Sequence, residues 1–145
     1  MDTFTLKGRY FRTVIVSDSP DFIRAAYERI ESEPGLILVA TADSGFAALV
    51  TVNVLRPDLV LVDVAMSGLD GVETTRRLKA RHEPPAVVLI TPHDPGDIAR
   101  TAADAGADAV ISRREFGESA ESIVRALGAR PGCPADAGPP MRDDR

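Results

Sequence analysis

Unbroken apolar runs alternate along this chain with stretches whose apolar positions recur at helical spacing, and turn residues separate each from the next. Residues 12–17 (RTVIVS) carry Val14, Ile15 and Val16, and the following Ser17, Asp18, Ser19 and Pro20 read as strand end, cap and first helical position. Phe22, Ala25, Ala26 and Ile30 predict the inward stripe of a helix that Pro34 and Gly35 stop, and Leu36 to Ala40 form a second run. Asp43, Ser44 and Gly45 open a second helix with Phe46, Leu49, Val50 and Val54 as its apolar face, closed by Pro57. Leu59 to Val62 form a third run, which stops on Asp63.

Gly71 starts a third helix, with Val72, Thr75 and Leu78 on one side and Arg76, Arg77 and Lys79 mostly outward, ending near Pro84 and Pro85. Ala86 to Ile90 make a fourth run ending on Thr91, and a fourth helix from about Asp94 or Pro95 to Gly106 turns Ile98, Ala102 and Ala105 inward. Asp108 to Ser112 complete the strands, and a final helix from about Glu115 to Leu127 buries Ala120, Ile123, Val124 and Leu127. Runs without polar alternation suit strands buried on both faces. Five strand-then-helix repeats joined by right-handed crossovers imply an open, doubly wound α/β fold, a parallel sheet with helices on both faces. In such sheets the functional crevice lies beyond the carboxyl ends of the strands.

At 145 residues and 44% hydrophobic, the chain holds one domain, over 12–127, preceded by an extension at 1–11. Residues 128–145 hold three glycines and four prolines and are expected to be a disordered tail. A net charge of -5 offers no basic footprint, so DNA binding is not expected. The single cysteine, Cys133, excludes an intramolecular disulfide and a cysteine-clustered zinc site. No apolar stretch reaches membrane-helix length and the N-terminus lacks a secretory core, so a soluble cytoplasmic protein without a membrane partner is expected.

The strand ends gather the candidate chemistry: Ser17 and Asp18, Asp63, Thr91 and Arg113. Each has a plainer reading. Asp63 would suit a turn, Asp18 a helix cap, Thr91 a strand end, and Arg113 with Arg114 a solvated pair. Read together, D-x-x-M-x-G-L-D-G from Asp63 to Gly71, the hydroxyl of Thr91 after strand four, and GADAVIS before Arg113 closely resemble bacterial response-regulator receiver domains over about residues 12–127.

That resemblance implies a flavodoxin-like sheet of order 2-1-3-4-5 and phosphoryl transfer from a histidine kinase or phosphotransfer protein to Asp63. It implies Mg2+ held by Asp18, Asp63 and the Ala65 backbone carbonyl, with Thr91 and a terminal cation meeting the phosphoryl group. No enzyme activity is implied beyond self-phosphorylation from small donors and autodephosphorylation. With only the tail after Leu127, output would pass to a downstream protein partner, and a homodimer stays open.

The chain departs from the family pattern at five places. Ser17 replaces one strand-one acid, which should weaken metal binding, and Ser67 replaces a turn proline. Pro92 offers no backbone N–H, Val110 stands where a switch aromatic is common, and Arg113 replaces a lysine with a planar, longer fork. These suggest the alternative of a degenerate receiver, binding protein partners independently of phosphorylation. A small α/β enzyme ranks below both, because no G-x-S-x-G, phosphate loop or dinucleotide fingerprint occurs.

Overall fold

The buried runs split by alternation. In the computed structural model, which describes residues 10–66 and 68–128, five strands lie parallel in the order β2-β1-β3-β4-β5. They are β1 (Phe11–Val16), β2 (Leu36–Ala42), β3 (Leu59–Asp63), β4 (Ala86–Thr91) and β5 (Ala109–Ser112). Ile15, Leu59, Leu61, Val88, Ile90 and Ile111 point to one face, where α1 (Pro20–Glu31), α5 (Arg113–Glu118) and α6 (Glu121–Gly128) cover them with Ile30, Phe116, Ile123 and Leu127. Val14, Val16, Val60, Val62, Val87 and Leu89 point to the other, under α2 (Gly45–Leu55), α3 (Gly71–Lys79) and α4 (Ala99–Ala105). Successive strand residues face opposite sides, so both layers come from the same few apolar runs, and each fully buried Val, Leu or Ile contributes roughly 1.5–3 kcal/mol.

The expected sheet order and doubly wound architecture are therefore present, but four expectations need correction. First, α2 does not bury Phe46, Val50 and Val54. They are 61%, 64% and 71% exposed, while Gly45, Ala48 and Val52 face the sheet. Apart from Thr51 and Asn53 the helix is apolar, so its sequence carries little amphipathic signal to choose a face. Small residues win the inner side because α2 presses on α3, where a Cβ on Gly45 would collide with the Thr74 hydroxyl. Second, Ala25 on α1 is exposed, with Ala26 and Ile30 doing the packing.

Third, the last helix is two helices. Ser119 is extended (φ -171°, ψ 132°), and its hydroxyl accepts from the Glu121 N–H at 3.0 Å. The first of the pair also starts earlier than expected, because Ser112 and Glu115 form a reciprocal capping box directly at the end of β5. Fourth, the chain before α4 opens as a 3-10 turn over Pro95–Asp97, capped by Asp94. Among the described residues no helix is long and apolar enough to cross a membrane. The extension up to residue 9, the tail with Cys133, and Ser67 lie outside the described residues.

Candidate functional site

Asp63 ends β3 with its carboxylate fully buried. A buried carboxylate needs hydrogen bonds and a counter-charge, and this one has both. Ser17 Oγ donates to Oδ2 at 2.8 Å, the Ala65 N–H donates to Oδ1 at 3.0 Å, and Arg113 Nη2 donates to Oδ1 at 3.0 Å and to Oδ2 at 3.1 Å. The sheet supplies the placement. Val16 pairs with Val62 in register, so Ser17 at the end of β1 lies beside Asp63, and Arg113 enters from the start of α5, one residue beyond β5.

Space for this arrangement depends on Gly71. A Cβ there would sit 2.5 Å from the Asp63 carbonyl oxygen and 2.8 Å from Val64 Cα, so only glycine lets α3 begin against Asp63. Asp70 caps α3, its carboxylate accepting from the Glu73 N–H at 2.8 Å.

The Arg113 guanidinium lies over the Phe22 ring, Cζ 5.1 Å from the centroid, and Phe22 in turn packs against Phe116 at 6.3 Å. Phe22 gives the longer fork a flat seat, and it pairs with Asp63. Among the described residues the buried Arg113 Nε has no hydrogen-bond partner. Ser17, which replaces a strand-one acid, has a structural role of its own. It is a buried link, accepting from the Ser19 N–H at 3.0 Å while donating to Asp63, and Ser19 caps α1. No sequence signal marks Phe22 as a partner of a residue 91 positions away.

Thr91, buried at the end of β4, accepts from the His93 N–H at 3.1 Å and makes no hydrogen bond to Asp63. Pro92 has no N–H, so the turn's amide donor falls one residue later, on an exposed His93, and is spent on Thr91. Val110 is half-buried and pairs with Leu89. Asp18 is exposed, one residue past Ser17 at the same end of the sheet as Asp63.

Among the described residues no group of three or more His, Cys, Asp or Glu could enclose a metal. The oxygen set is Asp18, Asp63 and the Ala65 carbonyl. These are the oxygen types Mg2+ takes, since it keeps most of its waters and needs one or two carboxylates, but both Asp63 oxygens already accept hydrogen bonds, from Ser17, Ala65 and Arg113, that a metal would have to displace.

The chain matches the family described as the response regulator receiver domain over residues 13–124. It is 33% identical over 125 residues to protein-glutamate methylesterase/protein-glutamine glutaminase 1 of Syntrophus aciditrophicus, covering 81% of this chain and 36% of that one. It is 40% identical over 86 residues to the positive alginate biosynthesis regulatory protein of Pseudomonas aeruginosa, covering 56% and 33%. The chain thus spans about a third of the length of these curated relatives. The signal receiver domain of the putative response regulator NarL from Mycobacterium tuberculosis superposes with a TM-score of 0.69 at 27% identity, covering 79% of this chain and 96% of that one. With Asp63 at the end of the third strand of a 2-1-3-4-5 sheet, the chain belongs to the response regulator receiver domain family of two-component signalling.

Proposed function

We propose that Asp63 accepts a phosphoryl group from the phosphohistidine of a histidine kinase or phosphotransfer protein, and that the chain signals by contact with a protein partner. The observation that carries this reading is a fully buried strand-end carboxylate facing a guanidinium across the mouth of the sheet. In the transfer an Asp63 oxygen attacks phosphorus, the P–N bond breaks, and the imidazole nitrogen leaves with the electron pair. Arg113 meets the negative charge on the equatorial oxygens, and the Thr91 hydroxyl, which accepts from His93 and keeps its own proton, can donate to one of them. Mg2+, held weakly by Asp18, Asp63 and the Ala65 carbonyl, would screen charge between acceptor and donor. Methylesterase activity belongs to the relative from Syntrophus; for this chain the reading is regulatory, without enzymatic turnover of its own.

A second reading has one observation in its favour. Every oxygen of Asp63 is already engaged, so the pocket is stable without phosphate, and the fold could serve as a binding module in that state. Incubation with phosphoramidate and Mg2+, followed by intact mass, separates the two. A single phosphoryl adduct that Asp63→Asn abolishes supports the phosphoacceptor; no adduct supports the phosphorylation-independent module.

A further inference from the structure

Resting on the phosphoacceptor reading, we propose that Arg113 is the site's resident cation: it neutralises Asp63 in place of a divalent ion, so phosphoryl uptake needs no added metal and a metal binds only in competition with the guanidinium. Charge counting leads there first. The buried well holds one carboxylate, Asp63, beside a neutral Ser17, and one guanidinium cancels it. A divalent ion entering would add two charges to a neutral well, next to a fixed cation, with its second carboxylate on the exposed Asp18. Lone pairs lead to the same place. A carboxylate offers about four acceptor sites, and Asp63 already receives four hydrogen-bond contacts, two of them from Arg113.

The third observation is the unpartnered donor. In a guanidinium, Nε–H and one Nη2–H lie along one edge as a parallel fork suited to phosphate and carboxylate. On Arg113 the Nη2 half of that edge holds Asp63, while the buried Nε has no partner among the described residues. Leaving a buried donor unpaired is unfavourable. A phosphoryl group on Asp63 brings three acceptor oxygens to that edge, and Phe22 keeps the guanidinium plane seated for them. A lysine ammonium has no such edge.

The test uses the full chain stripped of metal with EDTA, together with Arg113→Lys, Arg113→Gln and Arg113→Ala. Phosphoramidate uptake is followed by intact mass with chelator and with Mg2+; an Asp63 oxygen attacks phosphorus, the P–N bond breaks, and the nitrogen leaves as ammonia after protonation from water. Mn2+ binding is titrated separately by calorimetry, with no phosphodonor present. Wild type should take up phosphate at rates within about threefold with and without metal, whereas Arg113→Ala and Arg113→Gln should slow at least about tenfold in chelator and recover with Mg2+. Mn2+ should bind those two at least about tenfold tighter than wild type, and Arg113→Lys, which keeps the charge but not the guanidinium's paired contacts with Asp63, should fall between them and wild type. Uptake by wild type that chelator abolishes overturns the proposal and leaves the phosphoacceptor reading standing. No uptake by wild type under either condition defeats that reading instead, and the Mn2+ titration still decides whether Arg113 opposes metal: equal affinity in wild type and Arg113→Ala, with circular dichroism showing both folded, means that it does not.

Discussion

A single nitrogen of Arg113 bridges both oxygens of Asp63, 3.0 Å from one and 3.1 Å from the other. The acid is fully buried while the arginine side chain is 40% exposed, so the two partners do not stand to lose equally when the pair breaks. Removing one partner of a fully buried pair costs about 3–5 kcal/mol, and the arginine's exposure should bring Arg113→Gln down to about 2 kcal/mol. Asp63→Asn removes the charge that needs a partner. Urea denaturation of the two single variants and the double variant should therefore give a coupling of about 1–2 kcal/mol. Additive losses would show that the contact contributes nothing to stability.

Ser17→Asp places a second carboxylate beside a buried one with which the serine now shares a 2.8 Å hydrogen bond. Without metal the variant should melt lower than wild type, because like charges at that separation oppose each other. Mg2+ should raise its melting temperature more than that of wild type, by linkage to tighter binding. If calorimetry finds no gain in Mg2+ affinity, Ser17 does not border the metal position.

Gly71→Ala should destabilise by about 3 kcal/mol, since overpacking against backbone atoms cannot be relieved by a side-chain rotation, and the nearest such atom is the Asp63 carbonyl oxygen at 2.5 Å. Gly117→Ala is the control. It lies inside α5 with nothing within 4 Å of the added methyl and should stabilise by about 0.5–1 kcal/mol. Equal effects in the two denaturation curves would contradict the packing account.

Glu73 lies in the first turn of α3, and hydrogen bonds from Arg77 and then Arg76 hold its carboxyl below its ordinary value of 4.5. A carboxyl lowered in the folded state adds stability above its unfolded pKa and loses it as pH falls through the folded pKa. Wild type should therefore lose more stability than Glu73→Gln on acidification from pH 5 downward, by a small amount that salt screens further. Melting curves at pH 7 and below 4.5 with identical slopes for the two proteins would remove this contribution.

The sheet was legible because β3 and β4 are continuous apolar runs bounded by prolines and glycines, and every strand-end candidate was found where its run stopped. What sequence could not supply was choice between equivalent faces and distant pairings. Phe46, Val50 and Val54 look like an inward stripe because Thr51 and Asn53 are the helix's only polar side chains and too few to mark its outward side. The Ser112-x-x-Glu115 spacing is that of a capping box, a helix-start signal present in the sequence itself. Arg113 reaches Asp63 because Phe22, on another helix, offers it a surface, and no local pattern encodes that seat.

Ser112 is both the last residue of β5 and the cap of α5. Strand and helix therefore meet without an intervening loop to separate the strand from Arg113. Phe116, three residues further along the same helix, is buried in the core beneath the sheet edge.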